Sequence, residues 1–110
     1  MVIVDRALVA ARNAQQRPVL QGLFNAGTFT TGLDGVATGS VPLATNRFGV
    51  NYSDRDYIQG ALTQGKSTIG KPVKSKVFNS VVFAFGVPIR DGQGRIMGAL
   101  AGVVDLAKPN

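Results

Sequence analysis

Two long, largely apolar stretches, Asn79 to Arg90 and Arg95 to Leu106, are joined by Asp91-Gly92-Gln93-Gly94, and no other part of the chain constrains its fold as much. The linking residues have tight-turn chemistry, so the stretches pair as an antiparallel hairpin. On the first, Val81, Phe83, Phe85 and Val87 oppose Val82, Ala84, Gly86 and Pro88. Both faces are apolar, so both must be covered, and the strand is central in its sheet. On the return strand Met97, Ala99, Ala101, Val103 and Asp105 share one face, while Ile96, Gly98, Leu100, Gly102, Val104 and Leu106 share the other. Asp105 thus projects from a row of small side chains, the pattern of a strand that lines a cavity.

The preceding chain supplies the covering layers. From Asp5 to Gln16 the apolar positions Leu8, Val9 and Ala11 follow helical spacing, and Pro18 suits the first turn of a second short helix ending near Asn25-Ala26-Gly27. Phe29 to Thr31 and Val36 to Val41 flank Gly32-Leu33-Asp34-Gly35 as a second hairpin. Leu43 to Val50 has no clear period and reads as a loop. Ser67 to Lys76 is a strand interrupted by Gly70 and Pro72, where the missing donor points to a sheet edge or a bulge. The lysines at 71, 74 and 76 read as a solvated strand face.

Between the loop and that strand lies Asn51-Tyr-Ser-Asp-Arg-Asp-Tyr-Ile-Gln-Gly-Ala-Leu62, which combines a helix start, paired charges and an aromatic. Ser53 is suited to an N-cap, Asp54 and Asp56 to the first turn, and Ile58, Ala61 and Leu62 to a buried stripe. Arg55 and Tyr57 are not needed for that helix, which makes them candidates for chemistry. Strands joined by tight turns, with helices and no repeated strand-helix-strand units, define an α+β class with helices packed on an antiparallel sheet.

Composition narrows the function. The chain of 110 residues is expected to form one domain, 1–110, able to bury about 65% of its unfolded surface. It has no His, no Cys and no Glu, so the usual general bases, thiolate nucleophiles and transition-metal ligands are missing and enzyme activity is not expected. The same gaps argue against a haem or a flavin adduct, and no cofactor is expected. The net charge of +6 is dispersed and unaccompanied by nucleic-acid-binding signatures, so no nucleic-acid partner is expected. No apolar run approaches the roughly 18 residues of a membrane span. The start inside a helical pattern and the stop at Lys108-Pro109-Asn110 suggest a segment cut from a longer protein. Gly92-Gln93-Gly94 joins two strands rather than opening a helix, which excludes a phosphate loop.

Leu33-Asp-Gly-Val-Ala-Thr, Asn51-Tyr-Ser-Asp-Arg-Asp-Tyr, Gly65-Lys, Val87-Pro-Ile-Arg-Asp and Gly94-Arg-Ile-Met-Gly-Ala-Leu-Ala-Gly-Val-Val-Asp-Leu together resemble the Cache domains. These are PAS-like extracytoplasmic sensor modules of bacterial chemoreceptors, histidine kinases and GGDEF-type diguanylate cyclases. The resemblance implies a PAS-like, five-stranded antiparallel sheet with a long N-terminal helix on one face and, on the other, a pocket roofed by the short helix and its loops. It also implies a periplasmic, non-catalytic module of a membrane-anchored signalling protein, membrane-distal and followed by a second such module.

By the same resemblance, Arg55 and Tyr57 hold a ligand carboxylate and Asp105 holds an amino group. A guanidinium suits a carboxylate because its planar fork donates two parallel hydrogen bonds. The chain departs from the amino-acid-binding pattern: Ile58 follows Tyr57 where an aromatic is expected, Val50 replaces an aromatic, and Val73 and Ser75 stand near the positions of a Tyr and an Asp on the next strand. A small carboxylate or another polar metabolite is then the expected ligand.

Each candidate also has an ordinary structural reading. Arg55 could pair with Asp54, Asp56 or a loop carbonyl; Tyr57 could be core; Asp105 could cap a strand end. Phe83 and Phe85 read as core, with Phe83 a candidate pocket floor. At the level of function, the alternative to a sensor is a dimerising spacer whose pocket is filled by its own side chains.

Overall fold

A computed structural model of the protein describes residues 23–41, 47–77 and 79–107. It contains strands β1 (Thr28–Thr31), β2 (Ala37–Val41), β3 (Thr68–Ile69), β4 (Val73–Lys74), β5 (Val81–Arg90) and β6 (Ile96–Asp105), with helix α1 (Asp56–Gln64) between β2 and β3. The helices expected over Asp5 to Gln16 and from Pro18 onward, apart from the last residues of the second, lie outside the described residues.

All pairings are antiparallel, and the order across the sheet is β2, β1, β6, β5, β3, with β4 on the same edge of β5 as β3. Six strands therefore occupy five positions. β3 pairs at Gly86 and Phe85, β4 at Val82 and Val81, and Gly70 to Pro72 separates them, as the missing proline donor predicts. The β5–β6 hairpin forms the centre. Asp91 organises its turn: Oδ1 accepts the amides of Gln93 at 2.8 Å and Arg95 at 3.0 Å, and Oδ2 pairs with Arg95 Nε at 2.9 Å. The β1–β2 hairpin turns at the expected residues, with the Val36 amide donating to Asp34 Oδ1.

Cross-strand partners share a face, so Val82 with Asp105, Ala84 with Val103, Gly86 with Ala101 and Phe29 with Ala101 mark one side of the sheet. The core lies there. Phe29, Val82, Ala84, Ala99, Ala101 and Val103 pack against Tyr57, Ile58 and Ala61 of α1 and against Tyr52. Small side chains on β5 and β6 let the helix sit close. At Gly86 a Cβ would strike the Tyr57 carbonyl oxygen, so only glycine permits the approach. At its other end α1 is closed by Gly65 in the left-handed region, φ 63°, with the Gly65 carbonyl accepting from Arg90 Nη2 at 3.1 Å.

The helix begins later than Ser53. Its N-cap is Arg55, with no side-chain cap, and Ser53 lies instead in a local turn where its amide donates to Asn51 Oδ1 at 2.7 Å. Asp54 consequently lies outside the helix. Asp56 keeps its first-turn place, and its Oδ2 accepts the Lys71 amide at 3.0 Å, tying α1 to the gap between β3 and β4.

Candidate ligand-binding site

Where α1 and the turn before it overhang the sheet they enclose a small cavity lined by Phe29, Arg47, Tyr52, Arg55, Tyr57, Val73, Ser75, Lys76, Val82 and Val103. β1, β5 and β6 supply the floor through Phe29, Val82 and Val103; the segment 47–57 supplies the roof and one wall. β4 and the residues after it close the side.

Of the residues singled out from the sequence, Arg55, Tyr57, Val73 and Ser75 line this cavity. Arg55 is half-buried, and its Nη2 donates to the Lys74 carbonyl at 2.8 Å, reaching from the helix start across to β4. Tyr57 is buried, and desolvation raises its pKa, so it enters the cavity as a neutral phenol able to donate a hydrogen bond.

Asp105 and Phe83 lie elsewhere. Asp105 is on the cavity side of the sheet but at the strand end, 7% exposed, where Oδ2 accepts Ser80 Oγ at 3.0 Å and Oδ1 accepts the Ala107 amide at 2.9 Å. Its backbone is clasped by Asn25, whose Oδ1 accepts the Asp105 amide at 2.7 Å. The carboxylate is thus spent on terminating β6. Phe83 is opposite Val104 in the β5–β6 register, on the other face of the sheet, and cannot floor this cavity.

Two cations missed by sequence reasoning complete the lining. Arg47, 2% exposed, lays its guanidinium 4.9 Å from the centroid of the Phe29 ring, whose own centroid is 4.4 Å from that of Tyr52. It donates to the Ala26 carbonyl at 3.4 Å and is hydrogen-bonded to Tyr52. Burial pushes the Arg47 pKa down, opposed by the two tyrosines, and burial raises that of Tyr52. One signal was available: Arg47 is the sole charged residue between Asp34 and Asp54. Lys76 is exposed, as expected for the three lysines, but β4 ends at Lys74 and Lys76 also lines the cavity rim. Its Nζ reaches Asp54, 2.9 Å from Oδ1.

The lining therefore holds three cations and no carboxylate, with phenols and a serine hydroxyl among apolar walls. Such a set can bind an anion. It offers no metal-binding cluster among the described residues.

No family model and no curated protein matches the sequence. Among solved structures, the ligand-binding domain of the Pseudomonas fluorescens chemoreceptor CtaA in complex with L-serine is similar at TM-score 0.72 and 18% identity, over 96% of this chain and 48% of that one. The ligand-binding domain of the Pseudomonas aeruginosa PAO1 amino acid chemoreceptor PctB in complex with L-Arg matches at TM-score 0.68 and 22% identity, over 94% and 47%. The V. cholerae histidine kinase DctB sensor domain matches at 0.70 and 19%, over 96% and 43%. This chain shares the fold of these ligand-binding and sensor domains. It spans less than half the length of these three structures. They are ligand-binding and sensor domains rather than catalytic ones. Among the described residues no helix is long and apolar enough to cross a membrane.

Proposed function

We propose that the protein is an extracytoplasmic ligand-sensing domain that binds a small carboxylate metabolite in the cavity beneath α1. It would belong to a membrane-anchored bacterial signalling protein and pass the binding event to a cytoplasmic output domain. The observation that carries this reading is the lining itself: Arg47, Arg55 and Lys76 converge with Tyr52 and Tyr57 on one cavity that contains no acidic side chain. Arg55 is assigned the carboxylate, with Tyr57 donating beside it and Val73 and Ser75 shaping the side wall. Structural neighbours in complex with L-Arg, GABA and L-serine support a small polar ligand in general. A signal requires that the ligand bind two arrangements of the domain unequally.

Arg55→Ala should abolish carboxylate binding and leave a cooperative melt, since this side chain is half-buried and makes one hydrogen bond, to Lys74. The check is a melting-temperature panel of small carboxylates and amines on both proteins. A carboxylate that shifts the variant as much as the wild type would remove Arg55 from the site.

A second reading has its own support. The cavity volume is about 10 Å³, room for about one water. A non-binding structural or dimerisation module, its pocket filled by its own side chains, would look like this. No melting shift at millimolar concentrations of any compound, together with a dimer in solution, would establish it.

A further inference from the structure

The chain enters β1 and leaves β6 at the same corner of the sheet, and there a side chain continues what the backbone leaves off. The β1–β6 ladder runs to Thr28 opposite Gly102, then closes with the Val103 amide donating to the Gly27 carbonyl at 2.9 Å and the Ala26 amide donating to the Val103 carbonyl at 3.1 Å. Just before that point the chain turns away: Gly27 has φ 90°, and its amide donates to the Phe24 carbonyl at 2.7 Å. Asn25 makes good the missing rung. Its carboxamide, a donor and an acceptor like those of a peptide group, accepts the Asp105 amide through Oδ1 at 2.7 Å and donates through Nδ2 to the Asp105 carbonyl at 3.3 Å. Asp105 is thereby held on one side by Asn25 and on the other by β5, where it lies opposite Val82.

The cavity reaches this corner through two of its own residues. Val103, in its floor, is the residue that bonds Ala26 and Gly27, and Arg47, in its buried wall, donates through Nη2 to the Ala26 carbonyl at 3.4 Å. That bond is long for an N–H donor and a carbonyl, while the same guanidinium is also hydrogen-bonded to Tyr52 and lies over Phe29 in the cavity floor. We propose that Arg47, Ala26, Asn25 and Asp105 form a coupling clasp, in which the position of the Arg47 guanidinium sets how firmly Asn25 holds the end of β6. Arg47 is a positioning residue here, acting through the Ala26 carbonyl on the side chain of the preceding residue. A guanidinium drawn toward the cavity gives up its long bond first, and the turn at residues 25–27, relieved of it, loosens on Asp105. The bonds of the Asp105 carboxylate to Ser80 and Ala107 do not involve Arg47, so the end of β6 stays docked on β5 when the clasp opens. The two arrangements that a signal requires then differ in whether the entry to β1 is fastened to the end of β6. This rests on the cavity being the sensed site but not on the chemistry of what fills it.

The test is residue-resolved amide hydrogen exchange, with side-chain nitrogen resonances, by NMR on the wild-type protein, Asn25→Ala, Arg47→Met and the double variant. Asn25→Ala should speed exchange of the Asp105 amide about tenfold, the loss of one net hydrogen bond. Arg47→Met, which keeps much of the buried length without the donor, should speed the same amide about threefold, leave Val87 and Leu100 in the middle of the sheet unchanged, and add nothing in the double variant. By linkage, Asn25→Ala should in turn shift the Arg47 Nε resonance. An Asp105 amide that exchanges in Arg47→Met as in wild type, the same factor gained with and without Asn25, or a gain matched at Val87 and Leu100 would each overturn the clasp. Should Arg47→Met fail to melt cooperatively, Arg47→Lys, whose single ammonium replaces the fork, and the Arg47 Nε resonance in Asn25→Ala decide. No carboxylate enters these measurements, so their failure leaves the carboxylate reading standing, and a melting panel without shifts leaves the clasp standing.

Discussion

At the scale of single residues, the roof of the cavity is fastened by two side chains crossing from the segment before α1 to β4 and the residues after it. Arg55 bonds the Lys74 carbonyl and Asp54 bonds Lys76. The Lys76 hydrogen bond holds the Asp54 carboxyl below its ordinary pKa. A depressed carboxylate stabilises the fold above its unfolded pKa, and that contribution is lost as pH falls through the folded value. Because Asp54 is exposed, the contribution is small, about 0–1 kcal/mol. Urea unfolding should therefore find Asp54→Asn less stable than wild type at pH 7 by no more than that, with the two converging as pH falls through the lowered Asp54 pKa. An equal gap on both sides of that pKa would mean that the pair does not titrate as a strap. Residue chemistry of this kind was only partly legible. Arg55 and Tyr57 stood out because the helix had no use for them. Arg47 did not, because a cation in an aperiodic loop has no pattern to announce its burial, and for Asp105 alternation gives the right face but does not choose between the pocket and the strand-end cap, since Ser80 and Ala107 meet it only in the folded chain.

At the scale of elements, the position of α1 is set by what is missing beneath it. Tyr57 lies over Gly86, and Ala84 and Ala101 flank that contact on the sheet. Gly86→Ala should lift the helix and cost about 1–3 kcal/mol through overpacking, measurable as a lowered urea midpoint at unchanged slope. A variant as stable as wild type would show that the approach is looser than drawn. The strands were readable in advance because alternation and turn residues are local signals: β5, β6 and the turn around Asp91 follow from adjacent residues alone. The start of α1 was not. Ser53 has the right chemistry for a cap, yet it sits in a turn where its amide donates to Asn51 Oδ1 and the helix starts only after Arg55, and spacing alone does not say which of two local structures forms.

At the scale of the whole molecule, a cavity of about 10 Å³ must widen to admit any metabolite, and the sheet indicates which side yields. β5 and β6 pair along nearly their whole length, whereas β4 holds β5 through two residues. Hydrogen exchange should therefore be faster at Val73 to Ser80 than in the hairpin, and a carboxylate that raises the melting temperature should slow it there first. Uniform protection across both regions would place the opening elsewhere. The split edge that grants this freedom has a further consequence, for association. An intact outer strand is a template on which another chain can add itself, hydrogen bond by hydrogen bond. Here that edge is cut into two dipeptides by a proline-containing break that carries Lys71, and Lys74 follows on β4. A neighbouring chain finds at most two residues in register before the ladder ends, so the side of the domain free to open is also poorly suited to polymerise.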